Sequence, residues 1–569
     1  MTWTQVYDPL GHWWLSSLVA AIPLVVLFGL LVAGRVKPHV AAAAGALTAI
    51  TICCGVFTMP ARLAAASLLF GVAYGLKITW IVIAAVYLYD LSVHTGQFEI
   101  MKQSIARITP DRRIQVLLVA FCFGAFLEGA AGFGSPVAIA GAFMIGLGFS
   151  PFHAATLNLI ANTAPVAWGA IGTPVHMLAL VTALPEQQLN AMIGRILPVT
   201  AVLVPFWLVR AMVGWAETWE VLPAILAVGV SHGLVQFFWS NYIDANLVDI
   251  ASGAISLVAG LLLLQFWQPR RVWTFDYDKR PSAISSLHPA VSGSANDQRP
   301  TTDDYLANDH HSARQIARAW MPFAILTACV LLWGMPPVKK AMDRWTTPAA
   351  ASGGWDVPGL HHAVLRDRPV VAKPTPEAAK YDFNWVSATG SGCFLAAVLS
   401  GWLLGVGARD QARVFLGTVR RMRYAALAIC LMLCLGFITR YSGTDAVLAI
   451  AFTRTGPMFP FFGTFLGWLG VALTGSDTSS NALFGGMQRI TAEQLGLSPI
   501  LMAAANSAGG VMGKMVDAQS IVVASAATNQ VGNEGRILRY VFWNSIALAA
   551  IVGAIVMAYA YLCPSLVPR

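Results

Sequence analysis

Leu-Glu-Gly-Ala-Ala-Gly-Phe-Gly-Ser-Pro, residues 127–136, places a carboxylate inside a long apolar stretch. The carboxylate is that of Glu128, and no lysine or arginine lies near it in the sequence. A second such stretch, Thr-Gly-Ser-Asp-Thr-Ser-Ser-Asn-Ala at residues 474–482, carries Asp477. A carboxylate at bilayer depth costs about 2.5–3.5 kcal/mol on insertion scales, so it usually marks a substrate or proton path. Two of them, each among small residues, favour a carrier whose backbone opens around a central site.

The composition is that of a membrane protein. Of 569 residues, 57% are hydrophobic and 11% charged, and the mean hydropathy is +0.64; soluble domains are usually about 25% charged. The apolar residues form runs of about twenty, long enough to cross the hydrocarbon core as helices. The net charge of +9 is interpreted as loop Lys and Arg that set orientation in the lipid, not as a nucleic-acid surface. We therefore expect an all-α polytopic membrane protein with membrane lipid, and no nucleic acid, around it.

The apolar runs predict about 12–14 membrane-embedded helices in a single transport domain spanning residues 1–569. Ten uninterrupted spans are expected near 14–34, 39–57, 72–92, 195–213, 221–240, 248–267, 319–335, 385–406, 423–440 and 541–562. Two longer apolar zones, 114–182 and 457–528, are broken by Gly, Pro and Asn. Two polar stretches, 270–318 and 337–384, are interpreted as solvent loops with little fixed structure. Basic residues after the first and third spans predict that the N-terminus lies outside the cytoplasm.

The two broken zones repeat the same parts in the same order. In the first zone Glu128 is followed by Gly-Phe-Ser-Pro at 148–151 and then by Asn162. In the second zone Asp477 is followed by Gly-Leu-Ser-Pro at 496–499 and then by Asn506. The acid precedes the proline by 23 and 22 positions, and the proline precedes the asparagine by 11 and 7. Asn158 is an alternative match for Asn506 in an ungapped alignment.

Such a repeat is typical of secondary transporters, which bind their substrate where discontinuous helices of two related halves meet. A helix that starts inside the membrane exposes unpaired N–H groups and the positive end of its dipole, which together attract an anion. Small residues also pack membrane helices closely, so one such stretch alone would indicate packing. Two copies, each with an acid, favour a site.

Candidate residues follow from these zones. Glu128 and Asp477 are the proton-coupling candidates, with Glu128 favoured as carrier and Asp477 expected to orient the site or to face Lys514. The substrate-binding candidates are polar residues near the breaks, together with the lysine of the second zone: Asn162, Thr163, Ser476, Thr478, Ser479, Asn506 and Lys514. Lys514 either adds positive charge for an anion or pairs with Asp477 or Asp517.

Other chemistry finds little support in the sequence. No nucleophile–base pair and no His-Glu-x-x-His motif points to an enzyme. The eight cysteines form no Cys-x-x-Cys pair, so neither a metal nor a cofactor is expected beyond a proton as coupling ion. His176 and His232 lie in or beside apolar stretches and are interpreted mainly as structural.

Residues 123–139, 160–167, 473–484 and 513–515 resemble motifs of the bacterial lactate permease family, and residues 3–9 and 95–98 fit as well. The resemblance covers essentially the whole chain. It implies proton-coupled uptake of L-lactate, D-lactate and glycolate, small 2-hydroxy monocarboxylates, across the bacterial inner membrane. The family is more distantly similar to the ion-transporter superfamily, which implies re-entrant hairpins and broken helices in inverted repeats.

The chain departs from the family pattern at two places. Ser135 stands where alanine is expected, and Asp517-Ala518 stands where Ser-Pro is expected. Neither change decides between lactate and glycolate. A cation/proton antiporter, a sodium-coupled carrier and a dicarboxylate carrier remain as alternatives, and the oligomeric state stays open.

Overall fold

The computed structural model describes residues 2–32, 36–106, 108–130, 132, 135–275, 311–346, 354–371, 373–381, 384–528, 530 and 533–568. Within them the chain is almost entirely helical. The helices, numbered along the chain, are α1 (Trp13–Val32), α2 (Pro38–Gly55), α3 (Ala61–His94), α4 (Gln97–Ala106), α5 (Arg112–Val116), α6 (Gly124–Ala130), α7 (Ser135–Gly146), α8 (Pro151–Ala161), α9 (Gly169–Thr182), α10 (Glu186–Met212), α11 (Trp215–Glu220), α12 (Leu222–Tyr242), α13 (Val248–Phe266), α14 (Ala313–Gly334), α15 (Pro336–Thr346), α16 (Thr389–Leu403), α17 (Ala408–Ser442), α18 (Thr444–Phe452), α19 (Phe459–Thr474), α20 (Asp477–Leu495), α21 (Pro499–Gly513), α22 (Ala518–Ala527) and α23 (Glu534–Tyr561). A π-helical segment, Leu117–Phe123, joins α5 to α6.

Ten helical segments in the described part of the chain are long and apolar enough to cross a membrane. Helices α8 and α9 together are also long and apolar enough but are bent by 65° at their break, as in a broken span or a re-entrant loop. Two shorter apolar helices, His39–Gly55 and Thr389–Leu403, complete the set. These helices confirm the predicted all-α polytopic membrane protein.

The two broken zones contain corresponding helices. Ser150 caps α8 by accepting a hydrogen bond from the His153 N–H at 3.3 Å, and Ser498 caps α21 in the same way from the Leu501 N–H at 3.3 Å. In each zone the Ser-Pro helix is followed by a short 3₁₀ turn, Val166–Trp168 or Lys514–Val516, and then by another helix. The acids differ in position, since Glu128 lies near the end of α6 whereas Asp477 is the first residue of α20.

Helices α19 and α21 of the second zone touch backbone to backbone. A Cβ added at Gly467 would lie 1.9 Å from the Asn506 carbonyl oxygen, and one added at Gly509 would lie 2.0 Å from that of Thr464. Only glycine permits so close an approach, which is the usual way in which membrane helices pack tightly. The contact holds Asn506 and the rest of α21 tightly against α19.

The polar stretches differ from expectation where they are described. Residues 276–310 of the first stretch lie outside the described residues. In the second, residues 354–381 form short strands rather than an unstructured loop: β2 (Trp355–Asp356), β3 (Val364–Arg366), β4 (Thr375–Pro376) and β5 (Lys380–Tyr381). β3 pairs antiparallel with β4 and parallel with β1 (Trp3–Thr4) at the N-terminus, while β2 pairs antiparallel with β5. The cap formed by 354–381 therefore lies on the same side of the protein as the N-terminus.

Ion pairs fasten this cap to the helices. The Glu377 carboxylate lies 2.6 Å from Arg440 at the end of α17 and 2.9 Å from Arg366 of β3. Burial alone would raise the pKa of Glu377, but the two guanidinium groups outweigh it and hold the pKa below its ordinary value of 4.5. Glu377 is therefore ionised at neutral pH and stabilises the cap.

Candidate functional site

Two helix starts face each other at the junction of the broken zones. Ala170, Ile171 and Gly172 have positive φ values of 45°, 58° and 68°, so the regular part of α9 begins only at Thr173. α20 begins after Gly475, whose φ is 73°, and Ser476 caps it by accepting a hydrogen bond from the Ser479 N–H at 3.3 Å. Left-handed backbone at non-glycine residues is costly and is concentrated at functional sites. Both starts direct N–H groups and a positive dipole end toward one place.

That place is a small buried cavity. The first zone lines it with Glu128, Gly169, Ala170 and Thr173 among others, and the second zone with Gly475, Ser476, Asp477, Thr478 and Lys514. The space open to the centres of water molecules amounts to about 30 Å³, enough for about two waters. The cavity thus brings together both predicted acids and the predicted lysine around a very small space.

The side chain of Glu128 packs against Gly169. Its residue is 4% exposed, and a Cβ added at Gly169 would lie 2.7 Å from its Oε1 atom. Among the described residues its Oε2 atom has no hydrogen-bond partner. The side chain of Asn162 lies beside this carboxyl, yet both polar atoms of the amide are likewise without a partner in the described structure. Glu128 therefore keeps an oxygen without a partner in a largely buried position.

Asp477 has a different environment. One oxygen, Oδ2, accepts hydrogen bonds from Asn481 Nδ2 at 3.2 Å and from the Ser507 hydroxyl. The other, Oδ1, has no partner among the residues described and would lie 2.3 Å from a Cβ added at Gly510. Asp477 is thus fixed in orientation on one side only.

Lys514 pairs with Asp517 rather than with Asp477. Its Nζ atom lies 3.3 Å from Asp517 Oδ2 and donates a hydrogen bond to the Gly475 carbonyl at 2.6 Å. Both side chains are buried. The ammonium group is therefore held beside Gly475, just before the start of α20, and it also lines the cavity.

Four predicted residues do not line the cavity. Asn162 and Thr163 lie at the C-terminal end of α8, where the Asn162 N–H is bonded to the Asn158 carbonyl and the Thr163 hydroxyl donates to the Ile160 carbonyl at 2.7 Å. The N–H group of Asn162 is therefore already bonded, and the regular part of α9 begins later, at Thr173. Ser479 lies in the first turn of α20, where its N–H donates to the hydroxyl of the capping residue Ser476. The Asn506 amide donates to Asn481 Oδ1 at 2.9 Å.

The structure also shows polar residues that the sequence did not single out. Asn481 links the two zones, since its Nδ2 atom donates to the Pro174 carbonyl of α9 at 3.1 Å as well as to Asp477. Ser507, which donates to Asp477, directly follows the candidate Asn506. Its place next to Asn506 is the one signal in the sequence that could have indicated it. Asp249, at the start of α13, is 0% exposed and lies near Glu128.

Arginines hold the far end of α9. Arg440 donates hydrogen bonds to the Leu180 and Val181 carbonyls at 3.4 and 3.2 Å, and Arg489 donates to the Thr182 carbonyl. These cations neutralise the negative end of the helix dipole. The positive end at Thr173 is left facing the cavity, which favours an anion there.

The chain is similar to known proteins along most of its length. The L-lactate permease family matches residues 16–563. Glycolate permease GlcA of Escherichia coli (strain K12) is 46% identical over 562 residues, covering 99% of this chain and 98% of that protein. The L-lactate permease of Salmonella typhimurium (strain LT2) is 43% identical over 100% of both chains, and that of Bacillus subtilis (strain 168) is 39% identical over 97% of each. The solved structure of Neisseria gonorrhoeae MtrF has a TM-score of 0.41 at 10% identity, over 85% of this chain and 81% of that one.

The apolar helices and these matches establish a multi-pass integral membrane protein, which in bacteria resides in the inner membrane. Because the match runs along nearly the whole sequence, the chain belongs to the L-lactate permease family.

Proposed function

We propose that this protein is a secondary active transporter that takes up L-lactate, D-lactate and glycolate together with a proton. The observation that carries the proposal is the cavity in which two helix starts and Lys514 meet Glu128 and Asp477. The names of the relatives, glycolate permease and L-lactate permease, support the same class of substrate.

The cavity suits the carboxylate of a small acid. The N–H groups at the starts of α9 and α20 and the ammonium of Lys514 supply positive charge without an open basic surface. Side chains at the same rim, such as Thr173 and Thr478, offer hydrogen bonds to the substrate hydroxyl. A space of about 30 Å³ for water centres must widen even for lactate, so larger acids are disfavoured.

The proton is assigned to Glu128. Its carboxyl lines the cavity and keeps one oxygen without a partner among the described residues, so a proton can bind there without breaking a hydrogen bond. Asp477 also keeps one oxygen without a partner among the described residues, but its other oxygen receives two hydrogen bonds that fix its orientation, so we assign it the role of an orienting group. One proton moving with one monocarboxylate makes the transport step electroneutral, so the anion crosses without opposing the membrane potential.

The test is uptake of labelled lactate into proteoliposomes under imposed pH or sodium gradients. Glu128→Gln should abolish accumulation driven by the pH gradient while retaining lactate counterflow. Glu493→Gln, which removes a half-exposed carboxylate paired with Arg489 at the other end of α20, is the matched control and should behave as wild type. Undiminished proton-driven accumulation in Glu128→Gln would rule out the role of Glu128.

The same vesicles separate the rival functions. Competition by glycolate but not by succinate is expected, whereas strong competition by succinate would indicate a dicarboxylate carrier. If only a sodium gradient drove accumulation, sodium and not the proton would be the coupling ion. Cation exchange without lactate counterflow would identify a cation/proton antiporter and overturn the proposal.

A further inference from the structure

Asp249 is a buried acid for which the site described above provides no role. It is the second residue of α13, and its residue is 0% exposed. Neither carboxyl oxygen has a hydrogen-bond partner within the described part of the chain. A carboxylate left in this way in a low-dielectric region is costly, so some other function keeps it there.

One close contact places the start of α13 against α6. A Cβ added at Gly129 would lie 2.7 Å from the Asp249 Cβ atom and 2.8 Å from the Ile250 nitrogen. Gly129 directly follows Glu128 in α6, so the absence of a side chain there lets the start of α13, with Asp249, pack against α6 one residue from Glu128. The glycine of the Leu-Glu-Gly motif thus has a specific purpose in packing.

Few groups face Asp249 from the other helices that surround it. From α12, the Gln236 amide lies beside it, with Gln236 Nε2 donating to the Ala164 carbonyl at 3.2 Å. His232, one turn earlier on α12, faces Ser256 at 3.4 Å and the ring of Phe121 instead. Beyond Glu128 lie Lys514 and Asp517.

The balance of buried charge in this region requires bound protons. The buried carboxyls around the cavity are those of Glu128, Asp249, Asp477 and Asp517, and the facing buried cation is Lys514, which is already paired with Asp517. Glu128 and Asp249 would repel each other strongly if both were ionised in such a medium. Two neighbouring acids of this kind hold a proton jointly, and their titration belongs to the pair.

We infer that Asp249 is a second proton-binding residue, which shares with Glu128 the proton that travels with the organic anion. This rests on the proposed proton symport. The step moves only a proton between two carboxyl groups, so no bond other than O–H is made or broken. A divalent metal ion is a poorer occupant, because hard divalent cations take six or more oxygen ligands, usually with several carboxylates among them, and the described residues contain no group of three His, Cys, Asp or Glu side chains placed to hold one.

The proposed pairing of Asp249 with Glu128 predicts how replacing Asp249 with a neutral residue should change uptake. In the pair, the charge of one carboxylate favours proton binding by the other. Asp249→Asn keeps the shape but removes that charge, so Glu128 should hold its proton only in more acidic solution. We expect the pH at which proton-driven lactate uptake falls by half to move down by at least about one unit, while counterflow at fixed acidic pH remains.

The experiment compares three variants in proteoliposomes. Asp244→Asn is the matched control, because Asp244 lies in the turn just before α13 but its carboxylate accepts hydrogen bonds from Trp239 and Asn246; its pH midpoint should equal that of wild type. Asp249→Glu retains a carboxyl group and should restore the midpoint if Asp249→Asn assembles poorly. Infrared difference spectra of wild type should show a protonated carboxyl band that Asp249→Asn alters and Asp244→Asn does not.

The outcomes separate this inference from the proposed function. If wild type accumulates lactate with protons and Asp249→Asn keeps both the wild-type midpoint and the wild-type carboxyl band, only the role of Asp249 is overturned. If Asp249→Glu fails to restore a lost activity in a properly inserted protein, Asp249 has a purely structural role and the inference is again overturned. If wild type itself shows no proton-driven accumulation, the proposed symport fails.

Discussion

Lys514 is the residue whose two possible roles can be separated most cleanly. It lines the cavity, and it is also the partner of Asp517 at 3.3 Å. Replacing Lys514 alone with methionine removes the charge facing the substrate and at the same time leaves Asp517 buried without its cation. The double variant Lys514→Met, Asp517→Asn removes both charges and therefore isolates the contribution to substrate binding.

The structure sets the size of both effects. The two side chains are 6% and 0% exposed, and removing one partner of a buried pair costs about 3–5 kcal/mol. Lys514→Met should therefore lower the free energy of unfolding by about that amount, and the double variant should recover most of it. A hydrogen bond from a cation to a carboxylate is worth about 1.5–3 kcal/mol, so both variants should bind lactate about 10- to 150-fold more weakly.

The assay combines thermal unfolding in detergent with the lactate concentration that half-saturates counterflow. We expect the double variant to unfold near the wild-type temperature and still to need a much higher lactate concentration. If the double variant regained both stability and wild-type affinity, Lys514 would serve the ion pair alone, and the electrostatic account of substrate binding would be refuted.

Two further predictions concern packing and pH. Gly509→Ala brings a methyl group 2.0 Å from the Thr464 carbonyl and should cost about 1–3 kcal/mol, whereas Gly417→Ala, with nothing within 4 Å of the added atom, should not lower the unfolding temperature; equal losses would contradict the packing. Because the pKa of Glu377 lies below 4.5 in the folded protein, its stabilisation is complete above that pH and is lost as the pH falls through the folded-state value. Wild type should therefore lose stability in acid more steeply than Glu377→Gln, and parallel melting curves across this range would exclude the ion pair as the cause.

The two acids of the broken zones could be located from sequence because each interrupts an apolar run. The repeated Ser-Pro pairs were equally visible, since their order is independent of the loops around them. Both features rest on local patterns, and the helices around Glu128 and Asp477 follow these patterns.

Other features depend on contacts between distant segments and left no such pattern. Asp249 begins a span, where an acid usually indicates a helix N-terminus near water; only the approach of Gly129 shows that it is beside Glu128. Asn162 precedes a break, and a sequence does not say which side of the break supplies the free N–H groups. The strand β3 pairs with Trp3–Thr4, which is far from it in the sequence.

This last pairing bears on how the protein is made. β1 cannot find β3 until the ribosome has passed residues 364–366, which at about 5–20 residues per second takes roughly 20–70 s. Most helices precede β3 in the chain and can insert into the bilayer during that interval. Trp3 and Thr4 have no strand to pair with until β3 has been made. Gln5 donates hydrogen bonds to the Arg440 and Tyr441 carbonyls. These bonds form later still, because residues 440 and 441 are made after β3. The beginning of the chain is thus among the last parts to reach its final place.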